Sequence, residues 1–81
     1  MNLETLNDLK SDDRLKLKQL YNQYRGEFLG FGRRYKLDQE DLLDVYQEAF
    51  LALRKRAVEG KLEAIDSSLK TYLFGIGKFK I

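Results

Sequence analysis

The 81-residue sequence contains no cysteine, no histidine and no proline. Without cysteine there is no disulfide framework and no thiolate metal site, although a chain this short buries only about 60–65% of its unfolded surface. Without histidine, the usual general base and the usual zinc ligand are both missing. Helix packing must therefore supply the stability. Freedom from proline and 35% charged residues fit an all-α chain rather than a β fold. No apolar run approaches a membrane span, and the start MNLETLNDLKSDD is too polar for a signal peptide. The expectation is a cytoplasmic chain with no membrane insertion. No nucleophile–base pair, metal cluster or phosphate loop is present, and GFG and GIG sit inside helical patterns rather than after a strand. These absences exclude the common enzyme classes and leave no expected cofactor.

What the chain does have is segregated charge. The net charge is only +2, yet residues 33–37 add +3, 38–53 contribute −5, 54–61 give +3 and 62–81 give +1. Residues 1–32 balance, with five bases and five acids. An acidic segment bracketed by basic clusters implies two kinds of partner, one basic and one anionic.

The acidic segment DQEDLLDVYQEAFLAL, residues 38–53, reads as an amphipathic helix. At about 100° per residue, Leu42, Tyr46, Ala49 and Leu53 form an apolar stripe. Glu40, Asp41, Asp44, Gln47 and Glu48 gather opposite, with Leu51 among them. Two readings follow. One is a solvated face with a stray leucine. The other is a docking surface for a basic partner with an apolar spot.

Around this helix the rest falls into order. Residues 1–10, with Leu3, Leu6 and Leu9, form an N-terminal arm of about two helical turns, marginal without packing and expected to be loosely docked. Residues 11–81 form the helical domain, whose last helix reads as truncated at its C-terminus. Ser11 or Asp12 caps a first long helix reaching about Tyr35, with Leu17, Leu20, Tyr21, Tyr24, Phe28, Phe31 and Tyr35 as its buried stripe. Gly26, Gly30 and Gly32 within it suggest close approach of a neighbour or a bend. Arg33, Arg34 and Lys36 suit its negative dipole end, with phosphate binding as the alternative reading, and Asp38 caps the acidic helix after a connection short enough to force an antiparallel pair. Arg54, Lys55 and Arg56 close that helix before Gly60. A polar loop anchored by Leu62 and Ile65 then leads to Asp66, the expected cap of a third helix with Leu69, Leu73, Ile76 and the stem of Lys80 inward. The architecture expected is a small three-helix bundle, four-helix if the arm contributes.

DLLDVYQEAFLALRKR followed by DSSLKTYLFGIGK resembles region two of a bacterial sigma-70 family factor, most of all the extracytoplasmic-function (ECF) group. LYNQYRGEFLGFGRRY is similar to the helix that opens that region, so the resemblance spans roughly residues 17–80. It implies a transcription initiation factor fragment that docks on the clamp helices of the largest RNA polymerase subunit and recognises and melts the minus-ten promoter element. It places Asp44, Gln47 and Glu48 at polymerase-contact positions, in agreement with the helical wheel that groups them with Asp41 and Leu51. It implies DNA contact by the third helix and the loop before it, through Lys61, Lys70, Thr71, Tyr72 and Lys78. Phosphate neutralisation and base stacking are the chemistry these residues offer. Phe79 departs from the asparagine common there. An anti-sigma factor is the implied third partner. The alternative is a helical protein-interaction module that mimics the fold without binding DNA.

Overall fold

The computed structural model describes residues 1–80, so the expectation for Ile81 lies outside the described residues. It contains α1 (Leu3–Lys10), α2 (Arg14–Gly32), a 3-10 turn (Arg33–Tyr35), α3 (Gln39–Val58) and α4 (Leu69–Lys80), with no strand among the described residues. The bundle is all-α, as expected, and has four helices.

Each start is set by a side-chain oxygen. Asn2 accepts from the Thr5 amide, Asp13 from Leu15 and Lys16, and Asp38 from Asp41. At α4, the Ser68 hydroxyl accepts from the Thr71 amide. Two expected caps thus move along the chain, from Ser11 or Asp12 to Asp13 and from Asp66 to Ser68. α2 ends at Gly32, and the chain tightens into the 3-10 turn before Lys36 takes a left-handed conformation (φ 60°). α3 stops in a Schellman arrangement: Gly60 (φ 78°) donates to Ala57 and Lys61 donates to Arg56.

Helix α3 is the hub. Leu42, Tyr46, Ala49 and Leu53, the stripe read from the sequence, are all buried, with Phe50 and Ala57 beside them. Aromatic contacts chain the layers together, with ring centroids 5.3 Å apart for Tyr21–Phe50, 4.8 Å for Tyr21–Tyr46, 5.2 Å for Phe28–Tyr46 and 5.3 Å for Phe28–Phe74. Along α2 these partners climb while along α3 they descend, so the two helices are antiparallel. Pairing of Arg56 with Tyr72 and of Glu48 with Lys80 makes α3 and α4 antiparallel too.

Only Phe28 of the α2 stripe is fully buried; Leu17, Leu20, Tyr21, Tyr24, Phe31 and Tyr35 are half-buried. Lys80, expected to pack its stem inward, is exposed. The N-terminal arm, by contrast, is no loose appendage. Leu6 and Leu9 enter the core, Lys10 pairs with Glu63, and the N-terminal ammonium donates to the Ile65 carbonyl. The Lys10 partner holds the Glu63 carboxyl below its ordinary range.

Close approach explains two glycines and not the others. A β-carbon at Gly32 would overlap the Leu42 methyl groups, and one at Gly77 would overlap the buried Phe28 ring. Gly26, Gly30 and Gly75 have open space, so close approach does not compensate for Gly26 and Gly30. Gly26→Ala is therefore expected to stabilise the chain by about 1 kcal/mol. Gly77→Ala should destabilise it by about 1–3 kcal/mol, because a rigid ring must shift. Urea denaturation of the two variants reads the opposite signs.

Tyr46 couples packing to pH. Its hydroxyl donates to the Tyr21 carbonyl at 2.6 Å. Burial, and then the neighbouring Tyr21 and Tyr24, raise its phenol above the ordinary value. A raised folded pKa means the contribution is fully present below the unfolded value of about 10 and is lost as pH climbs through the folded one. Tyr46→Phe should cost about 1 kcal/mol at neutral pH and flatten that alkaline loss, as melts from pH 7 to 11 would record.

Candidate functional site

The outer side of α3 forms the first candidate surface. Because Leu42, Tyr46, Ala49 and Leu53 fix the inward direction, Glu40, Asp41, Asp44, Gln47 and Glu48 must point out, and all five are exposed. Leu51 stands among them with 59% of its surface exposed. Glu48 is 3.9 Å from Lys80 of α4, while Glu40, Asp41 and Asp44 form no ion pair among the described residues. Beyond Leu51 the face continues into a shallow hollow of about 320 Å³ lined by Leu51, Arg54, Lys55, Val58 and Glu59. Val58 is 58% exposed, a second apolar spot that lies past the acidic segment ending at Leu53. The surface can offer a row of carboxylates leading up to Leu51 and, beyond it, a hollow in which Leu51 and Val58 are flanked by Arg54, Lys55 and Glu59.

A second surface lies where α4 crosses the end of α3. A cleft of about 620 Å³ is lined by Arg56, Ser67, Thr71, Tyr72, Gly75, Ile76, Phe79 and Lys80. Tyr72 is half-buried; its hydroxyl accepts from the Arg56 guanidinium at 3.1 Å, and that guanidinium sits 5.8 Å from the ring centroid. Phe79 is 94% exposed, and the open space above Gly75 leaves the floor of the cleft accessible.

Of the five residues expected to contact DNA, Thr71 and Tyr72 line this cleft. Lys61, Lys70 and Lys78 do not. Lys61 pairs with Glu59 at 3.6 Å. Lys70 turns toward α2, pairing with Glu27 at 2.5 Å and lying 5.7 Å from the Phe74 ring centroid. Lys78 is exposed without an ion pair among the described residues. Arg56, Ser67, Gly75, Ile76, Phe79 and Lys80 line the cleft without having been among the five. Phe79, seven residues after Tyr72, is on the same face of α4 and could be read from its helical wheel, whereas Arg56 needs the antiparallel register of α3 on α4.

The described residues contain no group of histidine, cysteine or acidic side chains able to hold a metal ion, and no helix long and apolar enough to cross a membrane.

The family model described as Sigma-70 region 2 matches residues 20–81, most of α2 and everything after it. The chain belongs to the sigma-70 region 2 family. Sigma-70 region 2 is a non-enzymatic module of transcription initiation that works with the RNA polymerase core and promoter DNA. The match begins inside α2, so α1 lies outside the matched residues of this sigma-70 chain. No curated protein and no solved structure matches the chain.

Proposed function

We propose that this chain is an ECF-type sigma region 2 fragment whose α3 carboxylate face docks on the clamp helices of the largest polymerase subunit. The observation that carries this reading is the exposed, largely unpaired row around Leu51: Asp41, Asp44 and Gln47, with Glu48 beside it. Exposed ion pairs contribute only about 0.2–1 kcal/mol each, so docking needs Leu51 buried in the partner and several carboxylate–arginine forks acting together. In this reading α4 and the loop before it capture the unwound strand of the minus-ten element and help to melt it. Tyr72 and Phe79 flank a cleft where an unpaired base can stack, with Arg56 and Lys80 available to phosphates. Thr71 contributes a hydroxyl there, and Lys61, Lys70 and Lys78 contribute charge around it. The chain acts in the cytoplasm, with an anti-sigma factor as the partner that competes for these surfaces.

A photo-crosslinking residue at Leu51, incubated with core polymerase, tests the docking. Crosslinks to the largest subunit are expected; crosslinks confined to other subunits would overturn the assignment. The rival reading, an interaction module without a DNA role, predicts no affinity for single-stranded promoter DNA even at low salt.

A further inference from the structure

From Arg14 to Lys36 the chain carries seven lysines and arginines and a single acid, Glu27. Glu27 is already paired with Lys70. All seven cations are exposed, and none has a carboxylate within 4 Å among the described residues. Of the eight cations elsewhere, Lys10, Arg54, Lys61, Lys70 and Lys80 have carboxylate partners, while Lys55, Arg56 and Lys78 have none among the described residues. The overall balance of residues 1–32 conceals this contrast, because the acids lie mainly on α1 and in the cap of α2.

Some of the cations are also aligned. Arg14, Lys18 and Arg25 fall within about 40° of one another around α2, whereas Arg33, on the 3-10 turn, stands off that line. At about 1.5 Å per residue, the row is roughly 17 Å long. Arg14 and Lys18 stand one turn apart and repel each other, a small cost that no ion pair within the described fold offsets. Both precede residue 20, where the family match begins.

We infer that this flank of α2 binds the phosphate backbone of double-stranded DNA, as a contact separate from the α4 cleft. The inference rests on the family's work on promoter DNA, not on the assignment of the cleft. A protein partner would need an apolar anchor, and Leu15, the exposed apolar side chain nearest Arg14 in sequence, lies about 80° round the helix from the row. A lipid surface would need a free apolar face, whereas the aromatic stripe of α2 packs on α3 and α4. Those aromatics are turned inward, so the row offers charge without stacking. A duplex, with a phosphate about every 3.4 Å along each strand, suits such a row better than an unpaired strand does.

The test uses the full 81-residue chain, a labelled, fully paired duplex, and anisotropy titrations over a range of salt. Arg14→Gln, Lys18→Gln and Arg25→Gln are combined in one variant, with helicity checked by circular dichroism. Each phosphate neutralised by the row adds roughly 0.9 to the salt slope, so the triple variant should fall short of the parent by up to about 2.7. Its low-salt affinity should fall at least about tenfold. Tyr72→Ala should leave duplex binding intact while weakening single-strand binding, so failure of the cleft reading is recorded separately. An unchanged slope, or no wild-type duplex affinity at low salt, overturns the inference. So does tighter wild-type binding to phosphatidylserine vesicles than to the duplex.

Discussion

Truncating Phe28 to alanine is expected to remove about 3–5 kcal/mol of stability, enough to leave much of the chain unfolded at room temperature. A domain of this length has only about 4–12 kcal/mol in total. Phe28 is fully buried, touches the rings of Tyr46, Phe31 and Phe74, and fills the space above Gly77. Its removal therefore opens a cavity shared by α2, α3 and α4. Tyr24→Ala is the control. Sequence spacing gives the two aromatics equal standing, but Tyr24 is half-buried and should cost clearly less. Thermal melts of the two variants rank them, and equal losses would mean that the core lies elsewhere.

Asp44→Lys combined with Glu48→Lys should act in the opposite manner, abolishing polymerase binding while scarcely altering the fold. Both side chains are exposed, and neither caps a helix. Within the described fold the double change breaks one ion pair, Glu48–Lys80 at 3.9 Å, in which Glu48 is 67% exposed and Lys80 36% exposed. Pairs of that kind contribute little. At a docked interface the same change replaces attraction by like-charge repulsion at two adjacent points. A fall in affinity of at least about a hundredfold is expected, since charge-assisted contacts at an interface cost about 2–5 kcal/mol when disrupted. Circular dichroism and the melting temperature should match the parent chain.

How much of the fold and the site is legible in the sequence depends on whether the decisive contact is local. The α3 stripe is readable because one helix alone carries both the buried period and its polar complement. The same reading puts Asp44, Gln47 and Glu48 together and leaves Leu51 outside, where the structure has them. Helix α1 is underestimated because eight residues with few leucines are marginal alone. What holds it is the burial of Leu6 and Leu9 in the core, with Glu63 and Ile65 pairing to it from more than fifty residues away. The cap of α4 is misplaced because Asp66, Ser67 and Ser68 can all cap, and in the structure it is the Ser68 hydroxyl that accepts from the Thr71 amide. For the glycines, spacing says nothing about which face meets Phe28 or Leu42. The cleft needs Arg56 and Tyr72 from different helices, so no pattern along the chain contains it.

The most direct measurement is the equilibrium affinity of core polymerase for the wild-type chain and for the Asp44→Lys, Glu48→Lys variant, taken side by side at several salt concentrations. Wild-type binding that weakens with salt, beside a folded variant that does not bind at any salt, is the expected result. Equal affinities for two equally folded chains would place polymerase docking somewhere other than the α3 face.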